Sequence, residues 1–256
     1  MHFAHGAAIG AGAYIFWFTG TQLAWPWWAA IPTAVLFAGG VGVAIHAWVY
    51  EPLRRRGASS VIVLIAGVTL LLFFQNLWQL VFGARVKVIP LTGQLDQFLG
   101  ATLSRVQELT ILLSATLFAV LFFAVEKTSW GRRLRAIADH RQLAEISGIQ
   151  VEREVTWVFL IASMLAGVAG VLAGLERNVY PGIGTPLLVS AFTGAVLGGL
   201  DRVGAAVAGC FLLGLLENGA VWFLPSGYKE AVSFGLLFLF LIFRPKGLFS
   251  LSLRRI

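Results

Sequence analysis

The sequence predicts an all-α fold, a polytopic bundle of transmembrane helices, from its composition and from the length of its apolar runs. Of the 256 residues, 58% are hydrophobic and 12% are charged, against roughly 45–50% and about 25% in soluble domains. In lipid, only helices and closed barrels satisfy their own backbone hydrogen bonds. Barrel strands would alternate between apolar and polar residues, whereas segments 61–74 and 111–125 are almost continuously apolar. We therefore predict helices.

Eight segments are candidates for membrane spans, since a spanning helix needs about 20 predominantly apolar residues. The segment 187–200 is short for a span, so we expect it to be tilted, broken or re-entrant. Residues 176–186 hold Pro181 and Pro186 and cannot form one continuous helix. Residues 83–106 are predicted to form a long polar loop. The eight predicted spans are 4–22, 31–50, 60–82, 107–126, 155–175, 187–200, 204–223 and 229–243.

The distribution of basic residues predicts the orientation of these spans. Fourteen of the 19 Lys and Arg residues lie in one alternate set of connections, made up of 51–56, 127–154, Arg202 and the tail 244–256. Cytoplasmic loops of membrane proteins carry an excess of Lys and Arg. We therefore place this set, and with it the C-terminus, in the cytoplasm. The net charge of +7 then reflects anchoring loops, and we expect no nucleic-acid partner.

The sequence lacks the residues that several kinds of functional site require. The single cysteine, Cys210, cannot form an internal disulfide and is predicted to pack between helices. His2 is the only nearby ligand candidate for His5, so we predict no metal and no cofactor there. The sequence contains no phosphate-binding Gly-x-x-x-x-Gly-Lys-Ser/Thr loop and no nucleophile–base set. We therefore predict that the chain is not an enzyme and does not bind ATP by itself.

The segment 127–154 is the most charged part of the chain. Residues 132–146 have helix-forming content, and Gly148 is a plausible stop. Leu134, Ile137, Leu143 and Ile146 form a weak apolar stripe. This pattern fits a short cytoplasmic helix with one face for a partner, and it equally fits a solvated loop helix.

Polar and small residues within the spans are the other candidates for function. Glu217 lies well inside a predicted span, where an acid usually faces the bundle interior or a wet cavity. It could lie near a solute pathway, form a structural hydrogen bond, or relay protons. Gln75 and Asn76 raise the same question. The default interpretation of the glycines is close helix packing; these are Gly6, Gly10, Gly167, Gly170 and Gly174.

Motifs along nearly the whole chain carry a resemblance to a known family. The charged segment reads Gly-Arg-Arg-Leu-Arg-Ala-Ile-Ala-Asp over 131–139, followed by Leu-Ala at 143–144 and Gly-Ile at 148–149. Phe-Ala-His-Gly stands at 3–6, Gln-Asn at 75–76 and a glycine-rich run at 195–200. Arg-Pro-Lys-Gly-Leu-Phe closes the motifs at 244–249. The chain resembles branched-chain amino-acid ABC transporter permeases, specifically the subunit with the Phe-Ala-His-Gly signature.

The resemblance implies a single permease domain over 1–256 in a bacterial inner membrane, with a cytoplasmic coupling loop at 127–154. A further span normally precedes the Phe-Ala-His-Gly signature in this family, so one N-terminal span is expected to be missing. The implied partners are a paralogous permease subunit, two cytoplasmic ATP-binding subunits and a periplasmic solute-binding protein. ATP-driven closure of the ATPase pair would then alternate access to the pathway.

The resemblance also implies roles for individual residues. The residues expected to couple to the ATPase are Gly131, Arg132, Arg135, Ala136, Asp139, Ala144 and Gly148. The candidates for the solute pathway are His5, Gly6, Tyr14, Gln75, Asn76, Gly198, Gly199 and Glu217.

Two alternatives stay open at this point. The solute could be urea or a short amide rather than a branched-chain amino acid, because His2, Ala7, Ser190 and the pair at 201–202 depart from the family pattern. The chain could also be a self-contained secondary transporter or channel, to which broken segments and an intramembrane acid would be suited. The small number of charged residues in the spans and the coupling-type loop disfavour that second reading.

Overall fold

A computed structural model describes residues 3–90, 95–98, 101–200, 202–223, 225–243 and 247–248. Two predicted features, His2 and most of the closing motif at 244–249, lie outside the described residues. The helices are α1 (His5–Trp17), α2 (Trp27–Ile45), α3 (Glu51–Arg55), α4 (Ser60–Phe82), α5 (Arg105–Lys127), α6 (Ser129–Asp139), α7 (Arg141–Ile146), α8 (Val151–Arg177), α9 (Gly184–Gly198), α10 (Val203–Ala220) and α11 (Lys229–Phe243). The strands are β1 (Leu95–Phe98) and β2 (Ala101–Ser104).

The predicted polytopic helical bundle is confirmed. Among the described residues, five helical stretches are long and apolar enough to cross a membrane. One of them, Trp27–Arg55, joins α2 to α3 through a π-helical segment, His46–Tyr50. The other four are α4, α5, α8 and α10. Shorter apolar helices occupy Gly184–Gly198 and Ala231–Phe240. The first predicted span corresponds to α1 and a π-helical continuation, Phe18–Gln22.

The predicted polar loop at 83–106 contains more structure than we expected. Strands β1 and β2 pair antiparallel, with Leu95 opposite Ser104. Ser104 then caps α5, because its hydroxyl accepts a hydrogen bond from the backbone N–H of Gln107 at 3.3 Å. The Gln107 side chain in turn accepts from the Ser104 backbone N–H at 3.1 Å. This reciprocal capping box fixes where the helix begins.

The chain divides into two compact units, Met1–Gly184 and Thr185–Ile256. In the first unit, α1 is almost entirely buried and packs against α2, α4 and α8. Its sequence from Gly6 to Ala13 consists of glycine and alanine apart from Ile9. Small residues let neighbouring helix backbones approach closely, which is how helices associate within lipid.

The predicted close packing at glycines is observed between α1 and α8. A Cβ atom added at Gly12 would lie 2.6 Å from the Cα of Gly167. A Cβ at Gly170 would lie 2.9 Å from the carbonyl carbon of Ile9 and would overlap its oxygen. These contacts leave no room for a larger side chain, so the two helices depend on glycine at these positions.

The far end of α8 is joined to the loop that follows α4. The backbone N–H of Lys87 donates to the carbonyl of Val179 at 2.7 Å, and the Val179 N–H donates back at 3.0 Å. The Lys87 ammonium also lies 5.2 Å from the ring centroid of Trp17. A short antiparallel bridge therefore fixes the chain just beyond the end of α8.

The second unit packs its helices through glycine as well. A Cβ at Gly194 in α9 would lie 2.6 Å from the Cα of Cys210 in α10. The Cys210 sulfur lies 3.7 Å from the carbonyl oxygen of Ala191, so this cysteine contacts α9 as predicted, but it is exposed on its other side. The backbone N–H of Leu248 donates to the Leu197 carbonyl at 2.8 Å, so the described part of the closing motif returns to the end of α9.

Candidate functional site

The charged segment between α5 and α8 forms two helices rather than the single helix predicted over 132–146. Thr128 caps α6 by accepting from the Gly131 backbone N–H at 3.3 Å. His140 then adopts an extended backbone, with φ −151° and ψ 95°, which ends α6. The His140 carbonyl accepts from the Ala144 N–H at 3.0 Å and begins α7. The prediction failed at His140 because composition alone does not reveal a one-residue extended break.

Gly148 ends the segment as predicted. Its φ is +84°, a left-handed conformation that glycine adopts at little steric cost. The backbone N–H of Ile149 bonds to the Ala144 carbonyl at 3.0 Å. This hydrogen bond satisfies one of the last carbonyls of α7, and the chain continues directly into α8. We call residues 128–150 the coupling segment, after the role that the resemblance implies for the loop at 127–154.

Ion pairs fasten the coupling segment at both ends. The Arg133 Nε lies 2.6 Å from Glu154 Oε1 in α8, and Arg141 pairs with Glu152 in α8 and with Glu145 in α7. At the other end, Arg135 donates to the Val125 carbonyl at 2.6 Å and lies 3.6 Å from Glu126 Oε2. The two short helices are thus held against the ends of two membrane spans.

The structure separates the predicted coupling residues into two groups. Gly131 and Ala144 are buried, and a Cβ at Gly131 would overlap the Val125 carbonyl. The positions that face outward on α6, at i, i+4 and i+7, are exposed and share one helix face; they are Arg132, Ala136 and Asp139. Arg135 is exposed too but is engaged within the chain.

Two apolar side chains of α7 are also exposed. Leu143 is 59% exposed and Ile146 is 83% exposed. Leu134 and Ile137, the other half of the predicted apolar stripe, are half-buried. The predicted apolar stripe is therefore not uniform: its two residues in α6 are half-buried, and its two residues in α7 are exposed.

A groove of about 670 Å³ lies between α6 and the beginning of α8. The indoles of Trp130 and Trp157 and the charged side chains of Arg133, Arg153 and Glu154 contribute to its walls. Trp157 is 47% exposed. The groove places aromatic and charged groups between the coupling segment and the beginning of α8.

The predicted pathway residues of the first unit have different surroundings. His5 lies with its Nδ1 3.4 Å from the Ser163 hydroxyl and its ring near Phe159. Gly6 is buried, and a Cβ on Gly184 would overlap its carbonyl oxygen. Asn76 is exposed and donates to the Leu72 carbonyl within its own helix at 2.8 Å.

Tyr14 and Gln75 lie on the inner side of the same unit. Tyr14 is fully buried, and its ring stacks on Trp78 and Phe82 at 5.7 and 5.1 Å. Its hydroxyl has no hydrogen-bond partner among the described residues. Gln75 is half-buried, and its side-chain nitrogen lies 3.4 Å from where a Cβ of Gly182 would stand. The aromatic stack around Tyr14 was not apparent from the sequence, since spacing alone does not pair helices.

In the second unit, Gly198 and Gly199 are packing positions. A Cβ at Gly198 would overlap the Ala205 carbonyl, and Gly199 has φ +116°. Glu217 accepts hydrogen bonds through Oε1 from Ser190 in α9, at 3.3 Å, and from Ser233 in α11. The acid therefore links three helices, which agrees with the structural hydrogen bond among its predicted alternatives.

Comparison with known proteins identifies the family. The sequence model of the family described as "Branched-chain amino acid transport system / permease component" matches residues 1–241. The chain belongs to this family. As a member of the branched-chain permease family it is a multi-pass membrane protein, and the relatives it matches are transport permease components, not enzymes.

Three relatives illustrate the similarity. The chain is 33% identical to the high-affinity branched-chain amino acid transport system permease protein BraD of Pseudomonas aeruginosa, over 97% of this chain and 85% of BraD. It is 30% identical to the permease protein LivH of Escherichia coli, with the same coverage. It is 26% identical to a probable LivH of Methanocaldococcus jannaschii, over 87% of this chain and 75% of the relative. No solved structure matches the chain.

Proposed function

We propose that this chain is the permease subunit of an ATP-driven importer that carries branched-chain amino acids into the cytoplasm by alternating access. The observation that carries the proposal is the coupling segment. Two short helices project from the ends of two spans, are fixed there by ion pairs, and present an outward face of Arg132, Ala136 and Asp139. Such a face is suited to a soluble partner that must transmit force to the spans.

The proposed partners are two cytoplasmic ATP-binding subunits, a paralogous permease subunit and a periplasmic solute-binding protein. The ATPase would contact the exposed face of α6 and the open apolar residues Leu143 and Ile146 of α7. Because α8 begins directly after the coupling segment, a shift of that segment would move α8 and, through its glycine contacts, α1. ATP hydrolysis would take place on the partner subunits.

We place the coupling segment and the C-terminus in the cytoplasm of a bacterial inner membrane, on the strength of the Lys and Arg distribution. Branched-chain amino acids are the proposed solute because the names of BraD and LivH specify them. Within the first unit, the proposed pathway residues are His5, Gly6, Tyr14, Gln75 and Asn76. Within the second unit they are Gly198, Gly199 and Glu217.

Co-purification with candidate ATPase subunits, expressed together with this chain, tests the coupling assignment. Arg132→Glu reverses a charge on the exposed face without breaking any of the ion pairs described above. Arg177→Glu, at the opposite end of α8 and also exposed, is the matched control. We expect the wild-type chain and the Arg177 variant to retain the ATPases and the Arg132 variant to lose them.

The intact complex in proteoliposomes then tests the substrate. Uptake of leucine, isoleucine and valine that requires both ATP and the binding protein is the expected result. Uptake of urea in preference to leucine would contradict the substrate assignment while leaving the coupling mechanism in place. If leucine entered liposomes that contain this chain alone, the importer mechanism itself would be wrong.

A further inference from the structure

Three possible metal ligands from distant parts of the sequence meet near the beginning of α8. His46 lies in the π-helical segment after α2, Glu51 begins α3 and Glu152 lies in the first turn of α8. One nitrogen or oxygen atom from each residue lies within 4.8 Å of the other two. Glu152 is more than 100 residues from the other two in sequence, so the fold alone assembles the group. We call these three residues the His46 cluster.

His46 is a buried polar side chain that needs a partner. It is 1% exposed, and neither ring nitrogen has a hydrogen bond among the described residues. Its ring stacks on Phe159 with 4.5 Å between centroids and 15° between planes. Buried polar groups are almost always hydrogen-bonded or bound to a metal, because leaving them unpaired costs free energy. Stacking on Phe159 fixes the ring in the orientation that brings a nitrogen to the two carboxylates.

The carboxylates are held in place by arginines. Glu51 pairs with Arg55, and Glu152 pairs with Arg141, each through Oε1. The second oxygen of Glu152 is buried and has no hydrogen-bond partner among the described residues. The arginines therefore position the carboxylates and leave ligand capacity at the side of His46. Arg55 and Arg141 also neutralise the charge of the two carboxylates. A cation here must therefore be held by direct ligand bonds and not by a net negative charge.

We propose that the His46 cluster binds one divalent first-row transition cation, with Zn²⁺ as the representative ion. One imidazole nitrogen and one oxygen from each glutamate would be the protein ligands. An imidazole donor favours zinc and its neighbours over calcium and magnesium, which take oxygen ligands. Zinc–ligand bonds of about 2.0–2.2 Å require the three donor atoms to move closer together than the 4.8 Å within which they now lie, and rotation of the two glutamate side chains would supply that movement.

Three protein ligands leave a fourth position for water. The ion would join the second span, through His46 and Glu51, to the residue just after the coupling segment, Glu152. Binding would therefore restrain the joint between the coupling segment and α8. This inference does not depend on the proposed solute or on the ATPase partners, since it concerns only contacts inside the first unit.

Metal binding to the purified full-length chain tests the proposal, with an affinity tag that contains no histidine. Zn²⁺ is measured by equilibrium dialysis, and Co²⁺ by its visible absorption. His46→Phe keeps an aromatic ring against Phe159, and Glu152→Gln keeps an acceptor for Arg141. His140→Ala removes an exposed histidine from the same region and is the control.

We expect one ion per wild-type chain and the same affinity in the His140 variant. Losing even an outer partner of a metal site weakens affinity about tenfold or more, so both cluster variants should weaken binding by at least about tenfold. Zinc should raise the unfolding temperature of the wild-type chain but not of the cluster variants. Absence of stoichiometric binding, or binding that both cluster variants retain, would overturn the proposal.

A second measurement covers the case in which a cluster variant fails to fold. X-ray absorption at the zinc edge of the wild-type chain reports the ligands directly. A site with one imidazole and otherwise oxygen ligands is expected. Two or more imidazoles would place the ion elsewhere among the four histidines of the chain and would contradict the assignment.

Discussion

The Arg133 guanidinium donates to the Glu154 carboxylate, with 2.6 Å between Nε and Oε1. This contact joins α6 to α8 across 21 residues of sequence. Glu154 is mostly buried, whereas Arg133 is nearly half exposed. The pair therefore sets the position of α6 relative to α8 more than it adds to the stability of the fold.

Exchanging the two charges tests that role. We expect Arg133→Glu to weaken ATPase retention, because α6 loses its attachment to α8 and the mostly buried Glu154 meets a second carboxylate. Restoring the pair with Arg133→Glu and Glu154→Arg together should recover retention. Arg56→Glu, at an exposed arginine outside the coupling segment, is the control. Equal loss of ATPase in the single and double variants would contradict the prediction.

Gly170 tests the packing of α1 against α8. Gly170→Ala places a methyl group on the Ile9 carbonyl, and overpacking of this kind costs about 1–3 kcal/mol. Gly40→Ala is the matched control, since nothing lies within 4 Å of its Cβ position. There alanine should stabilise the helix by about 0.5–1 kcal/mol. Thermal unfolding in detergent measures both, and opposite shifts are expected.

Glu217 tests the connection among the helices of the second unit. Glu217→Gln keeps a carbonyl oxygen for Ser190 and Ser233, so we expect little change in thermal stability. Glu217→Leu removes that acceptor, and each lost hydrogen bond costs about 1 kcal/mol. Glu176→Leu, at an exposed acid at the end of α8, is the control. If glutamine proved as harmful to stability as leucine, the negative charge rather than the hydrogen bonds would be the requirement.

Tyr14 tests the proposed pathway of the first unit. Tyr14→Phe keeps the ring stack and removes a buried hydroxyl that has no hydrogen-bond partner in the described part of the chain, so stability should stay the same or rise by about 1 kcal/mol. If the hydroxyl serves the solute, uptake by the complex should fall even though the fold is intact. Tyr228→Phe, at an exposed tyrosine, is the control. Unchanged uptake would remove Tyr14 from the pathway.

The sequence predicted the positions of the apolar helices well because a long apolar run reports directly on burial in lipid or protein, and five helical stretches are long enough to span a membrane among the described residues. The eight predicted segments each correspond to a helix, and the interruption at 176–186 lies between α8 and α9 as expected. The break at His140 escaped prediction, since one extended residue leaves the composition around it unchanged. The hairpin β1–β2 escaped for a similar reason, because its strands are only four residues long.

Long-range contacts were the part of the candidate site that could not be predicted. Glu217 was recognisable as unusual because an acid is rare within a span. His46 was not singled out, since its two carboxylate neighbours come from separate elements. The pairing of Arg133 with Glu154 depends on how α6 folds back onto α8. In each case the sequence shows the residue type, but only the tertiary structure shows which residue it contacts.

The bridge between Lys87 and Val179 gives α8 a fixed far end. With 27 residues, α8 is about 40 Å long, and its first turn carries the two glutamates that hold the coupling segment. Under the proposed alternating access, a helix attached in this way would act as a lever arm whose pivot is the bridge. A tilt of about 5° about that pivot displaces the first turn by about 3–4 Å. A small change in the tilt of α8 would therefore move the coupling segment by several ångströms, because the helix is so long.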